Sequence, residues 1–528
     1  MKRLLAILLL STLAISSCSP VRRIPQGSYL LKSNKIVVDN PQIDKEDLNA
    51  YIRQKPNRKL LGFYRFHLQV YLLADKGRQG RIKSWFKNTI GEAPVIYDEG
   101  MMESSRKQFE LYMLSKGFFN ASVESKMIPQ GKKKAIVEYL ITSGTPYTLR
   151  DIKYNIPDPQ INTFVNQNIQ KSLLSEGINY DTEILQDERT RITSDLRNEG
   201  FYNFSRDFIV YQADSSLGTH QVDIELQIRN PQERTQGRTD TILYSRHKRY
   251  SIRHLYIQPD FSPFRPDSLI PDTLIYYRRS ITHDSLKTPL NTNTFFSYFE
   301  PMRIKPSVIR SNIYLYPQRV FKTSNVELTY NRLSSLRNHK YINIQFLESP
   351  KDSLYEVTDS TAWLDAHIQL SPSPVSSYSI ETEGLNSSGN LGMAGNFLYQ
   401  NKSIFRGAEI FTLRLKAALE ASGEAGSDVV FANLPFNTIE WGADASIDFP
   451  KLLFSVGNRR LSRFSQPKST INTGVNFRKR PDYTRYILSV SYGFEWSESE
   501  KKKHVLYPID ISTIKLSNDS AFLANISN

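Results

Sequence analysis

From about residue 375 to the end, apolar and polar residues alternate with a period of two. In Ile439 to Phe449 every odd position is apolar and every even one polar or Gly. Tyr486, Leu488, Val490, Tyr492, Phe494 and Trp496 stand in the same way against Ser489, Ser491, Gly493 and Glu495. Phe411, Leu413, Leu415, Ala417 and Leu419 alternate with Thr412, Arg414 and Lys416, and Leu391, Met393, Phe397 and Tyr399 share a face. Successive side chains of a strand point to opposite sides, so this texture predicts strands with one apolar face. Segments of roughly ten residues with aromatic ends fit membrane-crossing strands better than the five or six residues usual in a soluble sandwich. Polar loops such as Lys479 to Thr484 and Ser497 to Lys503 separate them. A soluble β-sandwich remains the alternative, because period-two alternation alone does not require lipid.

Upstream the period changes to that of helices, and a pattern repeats. Phe109, Tyr112 and Met113 mark a helix face that closes at Lys116, and Gly117-Phe118-Phe119-Asn120 leads into a strand. Leu185, Ile192 and Leu196 mark another face, with Asp181 as its N-cap, and Gly200-Phe201-Tyr202-Asn203 follows 83 residues after the first glycine. A left-handed residue lets a helix turn sharply into a strand without a Cβ clash, which explains Gly117 and Gly200. A third copy follows the helical segment around Val326 to Leu336, with Asn338 expected in the left-handed position. Before each helix come a strand and a shorter helix, after it two strands, as in the alternating Val222, Ile224, Leu226 and Ile228. Each unit therefore reads β-α-α-β-β, a small sheet covered on one face by two helices. The fold class is α+β followed by all-β, with units over 29–144, 145–230 and 250–372, a basic linker over 231–249, and the strand region over 375–528. In the third unit the polar, Pro-rich stretch Pro259 to Pro301 reads as an insertion.

The N-terminus adds a location. Met1-Lys2-Arg3, an apolar run from Leu4 to Ile15 and then Ser16-Ser17-Cys18 form a secretory signal over 1–17, too short for the about 20 residues a membrane helix needs. Ile15-Ser16-Ser17-Cys18 resembles a bacterial lipobox, which makes Cys18 the expected acylated residue; it is the only cysteine, so no disulfide framework is available. Of 528 residues, 39% are hydrophobic and 12% aromatic, which excludes a helical membrane protein and a disordered chain. The formal charge of +15 is read as spread along the chain, with Arg229 to Arg253 as its nearest approach to a cluster, and the export signal argues against nucleic acid.

Glu383-Gly384-Leu385-Asn386-Ser387-Ser388-Gly389-Asn390-Leu391-Gly392, continued by Gly395 and by Asn401-Lys402-Ser403-Ile404-Phe405-Arg406-Gly407, resembles the opening of the BamA/TamA outer-membrane barrel. Tyr378 and Ile380 lie on its expected first strand. The three βααββ units with Gly-aromatic-aromatic-Asn turns resemble polypeptide-transport-associated (POTRA) domains. With the lipobox added, the nearest likeness is the TamA-like lipoprotein branch of that family. The resemblance implies a 16-stranded antiparallel transmembrane barrel, of which about seven strands are present, so a C-terminally truncated chain is expected. An open sheet in lipid would leave unpaired backbone groups. The family's inward loop motif and terminal aromatic strand are absent, and Phe405-Arg406-Gly407-Ala408 comes too early to be the former.

The implied function is assembly or translocation of other proteins at a Gram-negative outer membrane, with the units in the periplasm. Unfolded outer-membrane or secreted proteins would be captured by β-augmentation on unit edges and templated at the barrel seam. Implied partners are those clients, outer-membrane lipid and a periplasm-spanning protein of the TamB type. The alternatives are a secretion or lipid-export conduit of the same architecture, or a surface lipoprotein that binds a ligand or partner. No catalytic motif or phosphate loop occurs, the eight histidines are scattered, and neither cofactor nor metal is expected, so the chain reads as a non-enzyme.

Overall fold

A computed structural model of the chain describes residues 24–60, 62, 64–75, 80–131, 133–216, 218–234, 242–266, 270–276, 294–349, 357–358, 360–387, 390–421, 436–453, 465–480, 483–499 and 501–518. Two compact units divide it. One comprises the chain up to Thr193 together with Ser205–Pro231, the other Ser194–Phe204 and everything from Gln232.

The first module begins with β1 (Leu30–Val38) and α1 (Lys45–Ala50). Two further helical pieces follow, α2 (Phe66–Ala74) and α3 (Arg81–Trp85), the latter continued by one π turn over Phe86–Ile90. Then come α4 (Glu99–Ser115), β2 (Ser122–Gln130) and β3 (Lys134–Thr142) in a sheet of order β1-β3-β2. The Asp98 carboxylate caps α4 by accepting from the Met101 N–H at 2.9 Å. Helix α4 then lays Phe109 and Met113 against Leu31, Val137, Tyr139 and Ile141, all nearly inaccessible. The α2–α3 pieces were not foreseen, because their apolar residues are not confined to one stripe.

The second module repeats the arrangement with β4 (Thr148–Asn155), α5 (Pro159–Gln167), α6 (Thr182–Asn198), β5 (Ile209–Asp214) and β6 (Gln221–Ile228), in sheet order β4-β6-β5. The Asp181 carboxylate caps α6 through the Glu183 N–H at 2.8 Å. Val222, Ile224, Leu226 and Ile228 are all buried while the residues between them are not. The stretch read as a plain basic linker is partly structured: β7 (Gln232–Arg234) pairs antiparallel with β8 (Ile242–Tyr244).

In the third module β9 (Arg249–Gln258) runs parallel to the last strand, β13 (Thr361–Pro372), after α7 (Pro306–Ser311), α8 (Thr323–Ser335) and β12 (His339–Glu348). The expected polar insertion contributes sheet: β10 (Asp272–Ile275) and β11 (Thr294–Tyr298) extend the order to β10-β11-β9-β13-β12. Phe296 accounts for this by entering the module's core beside Leu255, Ile257 and Ile309.

From Ser376 one antiparallel sheet runs in chain order through β14 (Ser376–Ser387), β15 (Asn390–Lys402), β16 (Ile410–Ala421), β17 (Thr438–Phe449), β18 (Lys468–Lys479), β19 (Tyr483–Ser499) and β20 (Lys502–Asn518). Each strand is 12 to 17 residues long. All seven strands hydrogen-bond in sequence order into a single sheet. No described helix is long and apolar enough to cross a membrane, which says nothing of strands.

Candidate functional site

The seven-stranded sheet has two unlike faces. Register places Ile380 opposite Phe397, Phe397 opposite Leu415, Leu415 opposite Ala443, Ala443 opposite Val475, and Val475 opposite Leu488. This row crosses six strands without a charge, and Ile380, Leu415, Val475 and Leu488 are exposed. The stripe weakens only at β20, where Thr513 and Lys515 fall on it. On the other face charges pair: Arg478 meets Glu420 at 3.1 Å, Lys416 meets Glu440 at 3.6 Å and Lys468 meets Asp448 at 3.1 Å. Asn476 donates to Glu440 at 3.1 Å. A greasy face open to its surroundings and a polar face crossed by ion pairs invert the arrangement of a water-soluble sheet.

Tyr378 and Ile380 stand on β14, one of the two edges of this sheet, and are among its most exposed large side chains. Gly384 faces Met393 across the β14–β15 ladder. At Gly392 a Cβ would come within 2.6 Å of the Leu419 carbonyl, so the glycine permits close approach of β16; Gly395 has open space instead. Gly389 and Cys18 lie outside the described residues.

Gly407 belongs to the turn from β15 to β16, and that turn is locked onto the third module. Ser403, Arg406 and Ala408 all hold left-handed φ values near 60 to 72°. The Glu409 carboxylate accepts from the Gly407 N–H at 3.0 Å. The Lys305 N–H donates to the Arg406 carbonyl at 2.9 Å, the Arg406 guanidinium donates to the Met302 carbonyl at 2.8 Å, and Ala408 is buried in the third module's own core. Non-glycine residues kept left-handed need surroundings that over-determine them, and this contact supplies them. Phe405-Arg406-Gly407-Ala408, set aside on sequence, thus joins module to sheet. Nothing in residue type alone marks such a contact.

At the ends of the module helices Gly117 has φ of +83° and Gly200 of +106°. Asn338 does not share this conformation. Helix α8 stops at Ser335 with Leu336 as C-cap, so the left-handed position falls on Arg337, with φ of +56°. The helix ends one residue earlier than its apolar pattern suggests. Asn338 is instead buried, and its carbonyl accepts from the Ser373 N–H at 2.8 Å.

Each module covers the outer side of its first strand. The outer side of β1 is occupied by the segment before α4, where the Leu31 N–H donates to Val95 and the Tyr97 N–H to Tyr29. Buried Asn57 pins that segment by donating to Ala93 at 2.7 Å and accepting from the Val95 N–H at 3.1 Å. Likewise Leu149 of β4 exchanges hydrogen bonds with Ile178 and Gly177. Ile252 of β9 pairs with Arg319 and Gln318, and farther along β9 bonds β11. The edges left without a ladder are β2, β5, β10 and β12. Strand β2 carries Pro129, and at β5 the Arg189 guanidinium occupies the Ile209 carbonyl. Strand β12 is ten residues long and borders a groove of about 460 Å³ lined by Val326, Tyr330, Ile342 and Ile344.

No cluster of three metal-ligating side chains occurs among the described residues. No family model matches the sequence. No curated protein matches it either. Among solved structures, a fragment of Haemophilus influenzae BamA spanning POTRA domains 3 to 5 is 14% identical, covering 66% of this chain and 99% of its own, at a TM-score of 0.30. BamA from Haemophilus ducreyi lacking POTRA domains 1 to 3 is 10% identical, with 71% and 68% covered and a TM-score of 0.33. CdiB from Acinetobacter baumannii is 9% identical, with 70% and 57% covered and a TM-score of 0.28.

Proposed function

We propose that this chain is a lipid-anchored outer-membrane factor that assembles or translocates other proteins without catalysing a covalent reaction. The observation that carries the reading is the uncovered apolar face of β14 to β19 opposite an ion-paired polar face, on strands long enough to cross a bilayer. The likeness of residues 383–407 to a BamA/TamA barrel opening agrees with it. In this reading the three modules stand in the periplasm and Cys18 carries the acyl anchor. An extended client adds to β12, where backbone groups offer affinity and the α8–β12 groove receives alternate apolar side chains. The β14 edge then serves as a template for the client's own strands. A periplasm-spanning protein of the TamB type would deliver clients to the modules.

Depletion in the native bacterium is the test, read by quantifying outer-membrane proteins. Broad loss of barrel proteins supports assembly. Loss of a single exported protein points to a dedicated secretion conduit, and an altered outer-leaflet lipid content with normal proteins to lipid export. An unchanged outer membrane sinks the reading.

A further inference from the structure

Residues 51–92 contain ten Lys or Arg against two Asp or Glu, a surplus of eight in a chain whose total is +15. Its surplus is about as dense as that of the shorter stretch Arg229 to Arg253, where the count is seven against two. The segment forms α2 and α3 within the first module. Helix α2 is apolar on two sides. Leu68 and Leu72 pack with Ile24 and Leu30, while Phe66 and Leu73 face outward with Val70 between them in the helical sequence. Through α3 and its π turn no residue is buried, and Ile82, Trp85 and Phe86 are 75, 53 and 42% exposed.

These pieces are held in place. Lys87 bonds Asp75 at 2.8 Å, the His67 ring meets the Ile90 carbonyl at 2.8 Å, and the Glu92 N–H donates to the His67 carbonyl at 3.0 Å. The Trp85 and Phe86 rings meet edge-on at 5.0 Å. A fixed outward surface of large apolar and aromatic groups beside Arg81 and Lys83 is what an interfacial membrane element presents, with aromatic rings at headgroup depth and cations toward anionic lipid. The first described residue packs on it: Ile24 is buried against α2, and Cys18 precedes Ile24 by six residues, a span of at most about 20 Å of extended chain.

We propose that the α2–α3 surface of the first module docks on an anionic lipid bilayer, with Ile82, Trp85 and Phe86 at the level of the headgroups. The surface lays this module along the membrane and turns a single lipid anchor into a two-point attachment. The proposal is separate from the barrel reading, and its test keeps the two apart.

The chain has four tryptophans, so the full protein with W363F/W441F/W496F reports Trp85 alone, and W85F/W363F/W496F reports Trp441 on the apolar face of β17. Both are reconstituted in phosphatidylcholine vesicles with brominated acyl chains, with and without phosphatidylglycerol. Trp85 fluorescence is expected to fall about twofold with phosphatidylglycerol, less without it or at about 1 M salt, and R81E/K83E should weaken the quenching. Trp85 unquenched while Trp441 is quenched overturns the proposal alone. The reverse supports it and overturns the barrel reading, and no quenching of either overturns both. Trp85 shielded only as protein concentration rises identifies a second copy as the occupant, which also overturns it. A nitroxide at position 86, F86C in a C18S background, read by relaxation with oxygen dissolved in lipid, must agree without altering any tryptophan.

Discussion

The Arg253 guanidinium holds the Asp365 carboxylate by two hydrogen bonds, Nε to Oδ1 at 3.1 Å and Nη2 to Oδ2 at 2.5 Å, at an interruption of the β9–β13 ladder. Ile252 faces Leu364 and Leu255 faces Ala366, so Arg253 and His254 together stand opposite Asp365 in a bulge. Burial pushes the Asp365 carboxyl up, yet Arg253 holds it below the ordinary carboxylate range. Asp365→Ala would strand a buried guanidinium and is expected to cost about 3–5 kcal/mol, while the double variant R253M/D365L recovers most of the loss. Chemical unfolding of the detergent-solubilised protein measures both. Equal losses for single and double variants would show that packing, not charge, sets the effect.

Arg337 occupies the left-handed position that glycine fills at 117 and 200. R337G is therefore expected to stabilise the third module by about 1 kcal/mol, and N338G to bring no such gain. Gly200→Ala should act in the opposite direction by about 1–3 kcal/mol, since its Cβ would also press to 2.7 Å from Val320 Cγ1. Thermal unfolding of the three variants ranks them.

His339 begins β12 and lines a small cavity of about 40 Å³ with Asp260, Glu300, Arg303 and Lys402. Burial lowers its imidazole from 6.5 to about 4. The unfolded chain thus binds a proton that the folded one refuses, and stability falls as pH drops from about 6.5 toward about 4. A melting profile between pH 7 and pH 5 should slope downward in the native protein and less steeply in His339→Gln, since His367, whose imidazole burial also lowers, keeps part of the slope. An unchanged slope would assign it to other groups.

Local order was legible wherever one element decides its own fate. Asp181 capped its helix, Val222 to Ile228 buried alternate residues, and the strand texture from Ser376 onward gave the sheet. What escaped depended on distant chain. The stop of α8 at Ser335 is one residue away from its apolar pattern, and β11 becomes a strand because Phe296 finds a core made by residues before and after it. The turn at Ser403 to Glu409 has no glycine at three left-handed positions and is explained only by the module it touches. Helix α2 fails a one-stripe test because both its sides are apolar.

Leu488 and Ser489 are adjacent on β19 and face opposite ways, Leu488 toward the uncovered row with Val475, Ser489 toward the polar side where its hydroxyl meets the Gly474 carbonyl. If lipid covers the first side and water the second, a lysine should be costly at one position and tolerated at the next. Leu488→Lys is expected to lose about 2–4 kcal/mol of folding free energy in a bilayer, and Ser489→Lys less than about 1 kcal/mol. Urea titration of both variants in vesicles reads the difference, and carbonate extraction of native membranes should release the Leu488 variant first. In water the order would reverse: a lysine replacing an exposed leucine costs little, and one introduced at half-buried position 489, opposite Gly474 and beside Asn472 and Ser491, meets crowded polar neighbours. The sign of that difference therefore identifies the solvent of the apolar face.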